Sequence, residues 1–167
     1  MSAILSACGS YRYRLERSIG LFGPVAAVIM VNPSTADART DDATIRRLIG
    51  FGKRLGWSKV IVGNIFAYRA KDIRQLGRVI DPVGPANMDH LRSILHDADI
   101  AVAAWGPLAK LPKALRHQWE SICSIAEEAG TKLNCLGFAA DGHPRHPLML
   151  SYQSNLTGWV APRDLAR

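Results

Sequence analysis

The stretch "VAAVIMVNPSTADARTDD", residues 25–42, opens as an unbroken apolar run and turns polar at Asn32-Pro33. Such a run, bounded by a breaker, is the pattern of a parallel strand buried on both faces. Pro33 has no N–H to continue a ladder, and it pushes Asn32 into extended backbone. The strand therefore ends there, with an amide side chain at its tip. A simple turn cap by Asn32 or Ser34 accounts for part of this pattern. The polar residues run further, through Thr35, Asp37, Thr40, Asp41, Asp42 and Thr44.

Working outward, "KVIVGNIF" (59–66) and "DIAVAAW" (99–105) repeat the buried-strand pattern, and "KLNCLGF" (132–138) is a weaker fourth. Helical periodicity fills the gaps, over about 42–56, 85–97 and 113–129. "YRYRLERS" alternates and reads as an N-terminal edge strand with one wet face. Strands alternating with helices imply right-handed crossovers. The expected fold is α/β: a three-layer α/β/α sandwich around a central, mostly parallel four-stranded sheet, plus the edge strand. At 167 residues the chain is read as one domain, 1–167.

With 48% hydrophobic and 21% charged residues, the composition is that of a folded globular chain and excludes a disordered one. No apolar stretch approaches the roughly 20 residues of a membrane-spanning helix, and the apolar part of "MSAILSACGSYRYR" is short for a signal peptide. No membrane partner is expected, and the expected location is cytoplasmic. Cys8, Cys123 and Cys135 are scattered and odd in number, which argues against a disulfide framework or a cysteine metal site. No cofactor is expected. The excess of 21 Lys and Arg over 14 Asp and Glu gives a net charge of +7, which suits an anionic partner such as nucleic acid or a nucleotide, as well as plain solubility.

In open sheets of this kind ligands bind beyond the carboxyl ends of the strands. The first strand delivers Asn32, with Ser34 and Thr35 following. The second delivers Asn64, then Phe66 and Tyr68 as stacking faces and Arg69 as a cation. An amide offers donor and acceptor together, which suits reading the edge of a base. The third ends in Trp105-Gly106-Pro107, with Lys110 in a helix beyond. The fourth leads to "AADGHPRHPLML", where His143, Arg145 and His146 fall close together. Imidazoles can donate to a developing anion, and Arg145 can hold a phosphate. Asp141, His143 and His146 are also a possible metal set, although the prolines break any helical spacing. "GFGKRLG" (50–56) lies inside a helical pattern and is no dinucleotide loop.

Through "NPSTAD", "TDDATIRR", "VGNIFAYRA", "DPVGPAN" and "GHPRHPL", nearly the whole chain resembles the domain-of-unknown-function family 1643. More distantly, its strand-end motifs are similar, in order, to those of the uracil-DNA glycosylase superfamily. That resemblance implies that Asn32 of "VNP" positions the attacking water and that Asn64 of "IVGNIFAYRA" reads the base. It also implies that His143 or His146 of "HPRHPL" donates to the departing base. Phe66, Tyr68 and Ser34 then line the base, while Arg145, Arg69, Lys110 and Thr35 contact phosphate. Met30 and Ser34 depart from the small residues of the superfamily around Asn-Pro, and "HPRHPL" differs in spacing from the closing motif.

The expected function is recognition of a nucleic-acid or nucleotide base with hydrolysis of its N-glycosidic bond. Two alternatives stand beside it: a base-binding module without chemistry, and a metal-assisted hydrolase of a modified nucleotide.

Overall fold

The computed structural model describes residues 1–162. In chain order its strands and helices are β1 (Ser2–Leu5), β2 (Arg12–Ser18), β3 (Val25–Met30), α1 (Ala43–Leu55), β4 (Lys59–Asn64), α2 (Asn87–His96), β5 (Ile100–Ala103), α3 (Trp119–Glu128), β6 (Leu133–Cys135) and β7 (Thr157–Gly158). All seven strands form one mixed sheet in the order β1-β2-β4-β3-β5-β6-β7. The four strands expected from the apolar runs are its parallel centre, β4-β3-β5-β6.

Three expectations are corrected. The sheet has seven strands, because antiparallel strands flank the parallel block on both sides. "YRYRLERS" is β2 and is not at the edge: β1 pairs along its outer side. The helix expected over 113–129 is a 3-10 turn, Lys113–Leu115, followed by α3, and Lys110 likewise ends a short 3-10 turn, Leu108–Lys110.

Strand alternation divides the core. Ala26, Val28, Met30, Val60 and Val62 meet Ile45, Leu48 and Phe51 of α1 on one face. Ala27, Ile29, Ile61 and Ala103 meet Leu91 and Ile94 of α2 and Ile122 and Ile125 of α3 on the other. Each fully buried side chain contributes roughly 1.5–3 kcal/mol, so Phe51→Ala, with its added cavity, costs roughly 3–5 kcal/mol.

The helices are fixed at their ends. Asp42 caps α1 by accepting from Ile45 N at 2.9 Å. Gly56 closes it at φ 73°, a conformation that favours glycine. Asn87 donates to the carbonyls of Asn64 and Ile65, both at 3.0 Å, tying the start of α2 to the exit of β4. Among the described residues no helix is long and apolar enough to cross a membrane.

Candidate functional site

Asn32 and Trp105, just beyond the carboxyl ends of β3 and β5, both line a cavity of about 490 Å3. That volume suits a small organic ligand. Asn32, Ser34, Lys110 and His146 of the expected site line it, with Arg12, Met30, Asp42, Thr44, Lys71 and Asp72. A second hollow of about 300 Å3 shares Ser34, Ala70 and Lys71 with it, and is lined by Thr35, Tyr68 and Arg69. A third, of about 430 Å3, shares Pro107, Lys110, His146 and Met149 and is lined by Asp141 and Arg145. The three adjoin through these shared walls.

Asn32 is oriented by two backbone carbonyls. Its Nδ2 donates to Pro33 O at 3.0 Å and to Ala70 O at 2.8 Å. Both N–H bonds are thereby used, and Oδ1 is left as an acceptor. His146 is fixed from the other side: its Nδ1 accepts from Leu148 N at 3.3 Å, capping the 3-10 turn Pro147–Met149. In the neutral ring that bond places the proton on Nε2. Burial, and then the nearby Lys110 charge, lower the His146 pKa against the opposing pull of Asp42, so the ring is neutral at pH 7. The cavity wall thus offers a fixed acceptor and a fixed neutral donor.

Gly106 lets the exit of β5 reach the closing loop. Its φ of 85° favours glycine, and its N–H donates to Pro144 O at 2.9 Å. Asp141 joins the same elements, accepting from Leu108 N at 2.9 Å and from His143 N at 3.1 Å. Its carboxylate is therefore engaged with backbone. Among the described residues no group of three His, Cys, Asp or Glu side chains could hold a metal ion.

Several expected residues lie elsewhere. His143 is fully buried, its Nδ1 accepting from Trp105 Nε1 at 3.4 Å and its ring against Trp119 and Trp159. Burial lowers its pKa, against the opposing effect of Asp141. Phe66 belongs to the core on the α2 and α3 face. Tyr68 is absent from the main cavity wall; it lines the second hollow and packs edge-on against Tyr11, with ring centres 5.8 Å apart. Asn64 is 1% exposed, and neither its Nδ2 nor its Oδ1 has a partner among the described residues. It pairs in register with Met30, which lines the cavity where Asn64 does not.

The sequence reading missed Arg12 and Arg17. In strict alternation Arg12 and Arg14 share a face. Here Ile4 pairs with Arg14 and Leu5 with Arg12, so Tyr13 is the extra residue of a β-bulge. Arg14 reaches Asp97, which follows α2, at 2.7 Å, while Arg12 turns to the opposite face and lines the cavity. Arg12 donates to Ala36 O at 2.7 Å, and Arg17 to Asp37 O at 2.5 Å and Asp41 Oδ1 at 2.7 Å. Two buried guanidiniums thus hold the loop after β3 in place. A bulge leaves no mark in hydrophobic periodicity, so only the density of arginines in "YRYRLER" hinted at them.

No curated protein and no solved structure matches the chain. A family model described as "Protein of unknown function (DUF1643)" matches residues 12–148, from the cavity-lining Arg12 to the turn that His146 caps, and the chain belongs to that family.

Proposed function

We propose that the cavity takes a nucleobase with its sugar and hydrolyses the N-glycosidic bond between them. One observation carries this reading: Asn32 Oδ1 and neutral His146, each fixed by backbone hydrogen bonds, line the same cavity. In such a cleavage the electron pair of the bond leaves with the base while the sugar becomes oxocarbenium-like. A neutral Nε2–H donor stabilises the base as negative charge gathers on it. Oδ1 of Asn32 accepts from the attacking water, whose oxygen bonds to the anomeric carbon. Asp42 also lines the cavity, and its Oδ2 is free of hydrogen bonds among the described residues, so it is the carboxylate at hand for the water's proton. The likeness of "VNP" and "HPRHPL" to uracil-DNA glycosylase motifs supports the same roles for Asn32 and for one of the two histidines, and of these His146 lines the cavity while His143 is buried.

The second reading, a base-binding module without chemistry, is favoured by Met30 and Ser34, which line the cavity on either side of Asn32 where the glycosylase likeness calls for small residues. Incubating the protein with nucleotides and with oligonucleotides carrying varied modified bases separates the readings. Free base or abasic sites support hydrolysis, whereas saturable binding with neither product supports the module.

A further inference from the structure

Arg12 is 2% exposed, yet it lines the cavity. Its NH1 donates to Ala36 O, its Nε is buried without a partner, and no carboxylate lies within ion-pair distance among the described residues. The other arginines of β2 differ: Arg14 pairs with Glu16 and Asp97, and Arg17 with Asp41. A desolvated guanidinium with an unused donor is costly unless something supplies the missing acceptor.

The rest of the wall fits an anion. Lys71, Lys110 and Ser34 line the same cavity. Its three cations, Arg12, Lys71 and Lys110, outnumber its two acids, Asp42 and Asp72, and Asp72 is engaged by Arg74, with Oδ2 to NH2 at 2.7 Å. We infer that Arg12 is the seat of a phosphate carried by the ligand, so that the substrate is a phosphorylated nucleotide and not a bare nucleoside. The planar fork suits phosphate, which takes two parallel N–H bonds where a lysine gives a point charge. Burial lowers the Arg12 pKa to about 10, against the opposing effect of Asp42, so the guanidinium keeps its proton at pH 7. The inference rests on the nucleotide reading of the cavity, and its phosphate can belong to a free nucleotide or to a nucleic-acid strand.

The test is a titration of the isotopically labelled full chain, following the Arg12 Nε–H resonance by NMR. Inorganic phosphate, nucleoside 5′-monophosphates, the parent nucleosides and a single-stranded oligonucleotide are added at matched ionic strength. Phosphate and at least one phosphorylated ligand are expected to shift the resonance saturably, with affinity at least tenfold above that of the parent nucleoside. A shift with mononucleotides alone makes the source a free nucleotide, and one with the oligonucleotide alone makes it a strand. A resonance unmoved by every phosphate-bearing probe overturns the inference. Arg12→Lys keeps the charge and loses the fork, so folded variant is expected to bind phosphate at least tenfold more weakly, and equal binding overturns the proposal. Should that variant not fold, the titration of the unaltered protein decides. Phosphate bound at Arg12 without base release from any probe defeats the hydrolase reading and leaves the subsite standing. Release from bare nucleosides as fast as from nucleotides does the reverse.

Discussion

The side-chain amide of Asn32 donates to the main-chain carbonyl of Ala70 at 2.8 Å, joining the loop that leaves β3 to the loop that leaves β4. With the second bond to Pro33 O, this fixes which end of the amide faces the cavity. Asn32→Ala is expected to lose roughly 1–3 kcal/mol, since two carbonyls lose a donor. Asn32→Asp is expected to lose more, because an acceptor-only carboxylate then faces both carbonyls. Urea denaturation of the two variants checks the order, and equal stability of Asp and Asn would mean that the bonds are dispensable.

Arg17 is 1% exposed and bonded to Asp41. The Asp41 side chain is 23% exposed, so the pair is half-buried, and removing the carboxylate leaves a buried Arg17 donor short of its acceptor, a loss of about 1–3 kcal/mol. Asp41→Leu should fall in that range, whereas Arg17→Met with Asp41→Leu should recover part of it. A double-mutant cycle in urea measures the difference, and strict additivity of the two single changes would contradict the coupling.

Asn64 is buried in the sheet with an amide that nothing satisfies among the described residues. Asn64→Leu, of similar size, is therefore expected to raise stability by about 1–2 kcal/mol. A group that harms the fold and sits beside the cavity wall is a candidate for function, where such sacrifices concentrate. A lower unfolding midpoint for Asn64→Leu would show that the amide serves the fold.

His143, His146 and, to a smaller degree of enclosure, His90 all have pKa values lowered by burial. Unfolded histidine, with a pKa of about 6.5, takes up its proton first as pH falls. Stability should then be full above about pH 7 and decline as pH falls through about 6.5, until the folded rings protonate too. Melting temperature measured from pH 8 to pH 5 checks this. His143→Phe should flatten the slope, and an unchanged slope would clear His143 of the effect.

Much of the fold was legible in the apolar runs: "VAAVIM", "VIV" and "IAVA" became the parallel centre, since strands buried on both faces leave an unbroken signal. Pro33 and Gly106 marked where two of those strands open onto the cavity. The flanking strands were hidden because β1 and β7 are short and half-exposed, with no periodicity to read. At the site, Asn32 and His146 were legible as polar residues at breakers. Asn64 and Phe66 were misplaced because burial beyond alternation decides them: Asn64 pairs in register with Met30 yet is itself covered, and Phe66, past the strand end, turns into the core of α2 and α3. Arg12 was invisible because it depends on the bulge at Tyr13.

The central claim is that Asn32 and His146 act together on one N-glycosidic bond, and free-base release in 18O-labelled water measures it most directly. The unaltered protein should release base from at least one nucleotide or oligonucleotide of a modified-base panel, with the label on the anomeric carbon of the sugar. Asn32→Ala and His146→Ala should each slow release by about 10²–10³-fold while remaining folded, the range for loss of one well-placed group. Release that both variants sustain at the parental rate, or no release from any member of a panel that binds, would contradict the account.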